Sequence, residues 1–188
     1  GLPRKIILRY GRGLFNYASH MIDLLMQWFG PIVTVQSHDR RPASNDKSEG
    51  DPNIDFWCRF QNGVEAVFIG LDDLDYDQFD IELYFADRRL SYLSGGAEQR
   101  SWHGEADLFY QGYNHLAENG GASIGQIGGF RELYHNIRQH LEFGQTLAGC
   151  DGVGAVLVQA VLAAAVRSAE DGGTLIELND YIERHKKR

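Results

Sequence analysis

Cysteine is almost missing. Cys58 and Cys150 are the two in 188 residues, and they lie far apart. That leaves neither a disulfide framework nor a spacing suited to a metal. Such sparing use fits a reducing compartment, so a cytoplasmic location is expected. A basic face is missing too. The formal net charge is −8, and without concentrated positive charge the sequence argues against nucleic acid or an anionic membrane as partner. The one basic cluster, Arg184-His185-Lys186-Lys187-Arg188, is terminal and reads as the solvated end of a polar tail over 179–188. Long apolar runs are lacking. The longest, Gly154 to Val166, is interrupted by Gln159 and falls short of the about 20 residues that cross a bilayer. No secretory signal pattern opens the chain. Nor does methionine: Gly-Leu-Pro-Arg leads straight into an apolar segment, which suggests a piece of something longer.

What is present is enough for one sizeable domain, expected over 1–178, with 43% hydrophobic and 12% aromatic residues. Residues 4–10 read as a strand and 14–29 as a helix, followed by the alternating strand IVTVQSHD. The polar stretch 40–53 is rich in turn formers and reads as a loop. IDFWCRFQ and VEAVFIGL alternate on either side of Asn62-Gly63, a strong hairpin signal. FDIELYF and RRLSYLS follow as a second hairpin around Ala86-Asp87. Residues 95–128 are Gly-rich and look irregular. GFRELYHNIRQHLEF, 129–143, has the period of an amphipathic helix. Asp151 caps a long apolar helix stopped by Gly172-Gly173, and TLIEL closes with a short strand.

The first helix raises the central question. Gly11-Arg12-Gly13-Leu14-Phe15-Asn16, after a strand, is one residue short of the G-x-G-x-x-G turn that cradles a dinucleotide pyrophosphate, and Asp39 stands where a ribose-binding acid could sit. The order of elements speaks against that reading. A dinucleotide fold continues as alternating strands and helices with a parallel sheet, whereas here one helix precedes a meander of hairpins. The predicted class is therefore α+β, an open, mostly antiparallel or mixed sheet with helices on one face.

Within 14–29, Leu14, Ala18, Met21, Ile22, Leu25, Trp28 and Phe29 form a core-facing stripe. Asn16, His20, Asp23 and Gln27 form a second, polar stripe at helical spacing. An imidazole flanked by an amide and a carboxylate is suited to proton transfer near neutral pH. The same stripe also suits an ordinary solvated helix face. Asp73-x-Asp75-x-Asp77 lacks the glycine and the closing glutamate of a calcium loop, having Gln78 and Tyr84 there. His135 and His140 are five apart, wrong for two ligands on one helical face, so no metal is expected.

The segment GRGLFNYASHMIDLLMQWFG resembles the second-domain motif of the Gfo/Idh/MocA family of NAD(P)-dependent oxidoreductases. That motif runs as a Gly-rich turn, D-x-G-x-H-x-x-D and a helix ending near W-x-x-G. FQNGVEAVF, DQFDIELYFADRRL and the close from Asp151-Gly152 through AVRSAEDGGTLIEL resemble further segments in the same order, so the likeness runs from residue 1 to about 178. It implies a glyceraldehyde-3-phosphate dehydrogenase-like C-terminal domain that binds substrate and oligomerises through its sheet. It also implies NAD or NADP held mainly by an N-terminal Rossmann domain not in this chain, and a sugar, inositol or other polyol as substrate. His20 falls on the catalytic histidine, Asp23 on the following acid and Asn16 on the position usually held by Asp; Ala18 replaces a Gly. Asn stands at that position in some branches of the family, and an amide can hydrogen-bond a substrate hydroxyl but cannot act as a carboxylate partner. Arg9, Arg12, Tyr17, Tyr110, Tyr113 and His115 are the candidate substrate contacts. The other reading open at this point is a stand-alone dimerisation or carbohydrate-binding module derived from such a domain.

Overall fold

The computed structural model describes residues 1–41, 50–72, 74–124, 129–147 and 149–185, the side chains of 39–41 excepted. Most of the expected 40–53 loop, Asp73 of the acidic turn and the terminal Lys186–Arg188 lie outside the described residues. The chain opens with β1 (Lys5–Tyr10), a π-helical turn (Leu14–Ala18) and α1 (Ser19–Phe29). Then come β2 (Ile32–Arg41), β3 (Asn53–Phe60), β4 (Glu65–Gly70), β5 (Phe79–Tyr84) and β6 (Arg88–Leu93). β7 (Glu98–Ala106), β8 (Asn114–Glu118) and β9 (Ser123–Ile124) precede α2 (Phe130–Phe143). The chain closes with α3 (Gly152–Glu170), β10 (Ile176–Glu177) and α4 (Leu178–His185).

The strands form one sheet in the order β10-β2-β3-β4-β1-β5-β6-β7-β8, with β9 also on β7. β1 runs parallel to β4, and the other described pairings are antiparallel. The class is α+β with a mixed, mostly antiparallel open sheet, as the sequence predicts. The first strand is the one surprise in the meander. It inserts between the two hairpins, at the centre of the sheet.

Strand alternation puts Ile6, Leu8, Tyr10, Ile54, Phe56, Phe60, Ala66, Phe68 and Ile81 on one buried face. Phe56 and Phe68 stack there with centroids 4.2 Å apart. α1 buries Met21, Ile22 and Leu25 against this face, and α3 buries Val158, Val161, Leu162, Ala164 and Ala165. Small residues let α3 lie close to β2. The Ser37 hydroxyl donates to the Ala165 carbonyl at 2.7 Å, and Ser168 Oγ accepts from Ser37 N–H at 2.9 Å.

Three expectations need correction. Of the stretch 95–128 expected to be irregular, the described part, 95–124, holds β7, β8 and β9; because β8 is solvent-exposed along nearly all its length, no apolar alternation marked it. The polar tail is instead largely α4, whose Leu178 is buried and whose Tyr181 and Ile182 pack on the core. And α3, at 19 residues and a mean hydropathy of 1.7, is by length and composition apolar enough to cross a membrane; here its inner side lies on the sheet.

Candidate functional site

β1 and β4 are the parallel pair, so both carboxyl ends open at the same end of the sheet, beside the start of β5. From there the chain passes through Gly11-Arg12-Gly13 into the π-helical turn and α1. Gly13 has φ 90° and ψ 157°, a region that is essentially glycine-only. A Cβ there would collide with the Asp51 carboxyl group. The glycine is required by a close approach, but of protein rather than of phosphate.

The amides that a pyrophosphate would need are already taken. Gly13 N–H donates to Asn53 Oδ1 at 3.1 Å and Leu14 N–H to the Pro52 carbonyl at 2.9 Å. Phe15 and Asn16 N–H donate to the two Asp51 carboxylate oxygens, each at 2.9 Å. A helix start is an anion site only while its first amides are free. This turn does not fit a dinucleotide phosphate, which settles the ambiguous motif. Asp39, the would-be ribose partner, lies in β2, antiparallel to β3.

Asn16 and His20 sit on the outer side of the π-helical turn and the first turn of α1, both exposed, while Leu14, Ala18 and Met21 are buried beneath. The sequence predicted one uninterrupted α-helix over 14–29. Instead, Ala18 N–H reaches back to the Gly13 carbonyl at 3.4 Å and Ser19 N–H to that of Leu14. Such wide turns are rare and recur at functional positions. Ser19 Oγ donates to the Asn16 carbonyl at 2.6 Å.

Asp23 does not hold His20. Its partners among the described residues are the Gln27 amide, donating at 2.8 Å, and the Cys150 thiol. Burial, then the hydrogen bond to Asp23 and the nearby acidic charge, push that thiol up to about 11. The thiol also lies against the Asp151 carbonyl at 3.6 Å, and with its pKa raised it is not an activated nucleophile. The Cys58 thiol is also raised, by complete burial.

The candidate substrate contacts divide. Arg12 pairs with Asp77 and lies over the Tyr17 ring, 5.8 Å from its centroid. Tyr17 meets Phe79 edge-to-face at 5.5 Å. Arg12 and Tyr17 therefore belong to the end of the sheet that carries Asn16 and His20. Arg9 does not. Strand alternation sends it to the uncovered face of the sheet, where it pairs with Glu82 at 3.2 Å. Burial works against ionising Glu82, but the Tyr84 hydroxyl at 2.7 Å and the Arg9 charge outweigh it and hold the carboxyl below its ordinary value.

Tyr110, Tyr113 and His115 lie at the tip of the β7–β8 hairpin. β7 passes Leu93 at Glu98 and Arg88 at His103, so the tip projects from the opposite end of the sheet. There Asp107 accepts from the Phe109 and Tyr110 amides, which hold its carboxyl below the usual range, and His115 approaches it at 4.0 Å. A single chain does not bring these three to His20. Sequence reasoning missed Asp51, Asn53 and Cys150. The first two were legible only as an Asp-Pro-Asn turn at the end of a polar loop.

Neither a protein-family model nor a curated protein matches the sequence. Solved structures do. A protein of Desulfitobacterium hafniense assigned as an NADPH-dependent oxidoreductase superposes at a TM-score of 0.73 with 15% identity, over 97% of this chain and 58% of its own. The UDP-N-acetylglucosamine 3-dehydrogenase GnnA of Acidithiobacillus ferrooxidans gives 0.68 and 16%, over 92% and 56%. The WlbA dehydrogenase of Bordetella pertussis, solved with NADH and UDP-GlcNAcA, gives 0.64 and 15%, over 94% and 56%. The chain shares its fold with these oxidoreductases. The chain spans only a little over half the length of these structures.

Proposed function

We propose that the chain is the substrate-binding and oligomerising domain of a nicotinamide-dependent oxidoreductase acting on a hydroxyl of a sugar, inositol or related polyol. The observation that carries this is the exposed Asn16–His20 turn, built at the carboxyl end of the central parallel pair, in a fold shared with sugar-nucleotide dehydrogenases. NAD or NADP would accept the hydride and would be held mainly by a further domain, since the Gly-rich turn of this chain is closed to phosphate.

The chain's own residues then handle the hydroxyl proton and the fit of the sugar. His20, exposed on the first turn of α1, takes the proton from the hydroxyl whose carbon is oxidised. Asn16, one turn earlier, hydrogen-bonds a neighbouring hydroxyl. Asp23 holds Gln27 on the next turn of the helix, and Arg12 and Tyr17 border the site on the β5 side. The uncovered sheet face carries Ile7, Trp57, Val67 and Ile69, half-buried, between the ion pairs Lys5–Glu65 and Arg9–Glu82. It is the surface through which a homo-oligomer forms.

The test is to read the coding sequence on the 5′ side of Gly1 and assay the encoded protein with NAD and NADP against sugar nucleotides, inositols and simple sugars. Hydride transfer to one of these supports the reading. Absence of any dinucleotide-binding segment, with no transfer, would overturn it in favour of a stand-alone binding module.

A further inference from the structure

We propose that Asp51 is the positioning residue of the Asn16–His20 turn. This rests on the reading of His20 as the proton acceptor. A helix leaves its first four amides without partners, and a Ser, Thr, Asp or Asn at the N-cap usually satisfies one of them. The N-cap here is Gly13, which has no side chain to offer. The amides of Gly13, Leu14, Phe15 and Asn16 instead go, one each, to the Asn53 side chain, the Pro52 carbonyl and the two oxygens of Asp51. Three consecutive residues leading into β3 clasp four consecutive amides.

The origin of the cap matters more than its presence. A local cap would hold the helix to itself, whereas this one holds it to the sheet. Asn53, 2% exposed, is anchored by its own side-chain amide to the Leu71 carbonyl at 3.2 Å and to Asp72 Oδ1 at 2.7 Å, just past β4. The clasp therefore fixes the turn against β3 and β4 together. Asp51 takes the last two of these amides, Phe15 and Asn16, inside the π-helical turn itself. Its charge also complements the amino end of the helix. Gly13 completes the arrangement, because any Cβ there would displace the Asp51 carboxyl. Asp51 touches no reacting atom in this scheme; it acts through the backbone that carries Asn16 and His20.

The experiment uses the 188-residue chain, labelled with nitrogen-15, as Asp51→Ala and Asp51→Asn. Amide hydrogen exchange is followed residue by residue, together with the ring-nitrogen signals of His20, assigned with His20→Gln. In Asp51→Ala, exchange at Phe15 and Asn16 should quicken by about tenfold, the worth of a lost cap. The His20 signals should move, while Leu14 and the β3–β4 amides keep their protection. Asp51→Asn retains one acceptor oxygen and should fall between, and it carries the test if Asp51→Ala does not fold. Unchanged exchange at Phe15 and Asn16 with an unmoved His20 ring would overturn the proposal. So would an even loss of protection over the whole sheet, which would make Asp51 a general stability residue. Undiminished turnover in His20→Ala would overturn the proton-acceptor reading and leave these local shifts intact, so the two failures are separable.

Discussion

Two halves of the sheet follow different rules. From β3 to β5, one face lies under the helices and side chains are buried in alternation. From β7 to β8, continuing into α2, much of the chain is exposed on both sides, Phe109, Tyr113, Phe130 and Tyr134 among it. The first half is held by its own packing. The second is held by ladder hydrogen bonds and surface contacts such as Arg100 with Glu98 and Glu118 and Arg89 over Trp102, and many of its apolar side chains have no cover among the described residues. The difference marks where the molecule is complete by itself and where it presents surface.

The sharpest way to break the comparison is a matched pair of truncations. Phe68→Ala, which removes a buried ring stacked on Phe56, should cost about 3–5 kcal/mol in denaturant unfolding. Phe109→Ala, at the hairpin tip, should stay within about 0.5 kcal/mol. A large loss at Phe109 would mean that the hairpin is packed in solution, against a second copy or a further domain. Next in size is Gly13→Ala, at the boundary between core and site. The glycine-only backbone and the Asp51 contact should together cost about 1–3 kcal/mol, read as a lower Tm.

Smaller effects test the uncovered face. Glu65 is held below its ordinary value of 4.5 by the Lys5 hydrogen bond, and Glu82 titrates below the same value with Tyr84 and Arg9. A depressed carboxylate stabilises the fold fully above its unfolded pKa and loses that contribution as pH falls through its folded pKa. Stability should therefore drop below about pH 4.5, and Arg9→Ala should bring that drop to higher pH while shrinking it. An unmoved acid limb in Arg9→Ala would show that the pair contributes nothing in solution. The smallest expected effect is chemical. Asp23→Asn removes the charge that disfavours the Cys150 thiolate, so alkylation of that thiol at pH 8 should quicken several-fold; an unchanged rate would separate Cys150 from α1.

Legibility followed the same division. Ile54–Gly70 could be read because burial on one face writes apolar residues at every second position, and Asn62-Gly63 fixed the turn between them. α1 could be read as a face of His20 and Asn16 over a face of Leu14, Met21 and Leu25. The hairpin of β7 and β8 could not, since strands wet on both sides need no alternation. The π-helical turn was invisible for another reason: the Asp51 carboxylate that takes the Phe15 and Asn16 amides lies 36 and 35 residues further along the chain, and no local pattern encodes that contact. Arg9 was placed beside the motif because it is close in sequence, but in a strand the neighbour of a buried Leu8 and Tyr10 points to the opposite face.

The central claim is that the working end of this domain is the one bearing Asn16 and His20, and not the hairpin end bearing Tyr110 and Tyr113. Turnover of His20→Ala and Tyr110→Ala, measured in a chain that also carries the dinucleotide-binding domain, tests it most directly. His20→Ala should lower kcat by about 10²–10⁴, the usual worth of a proton acceptor, and Tyr110→Ala should leave it nearly unchanged. Near wild-type turnover in His20→Ala would contradict the account.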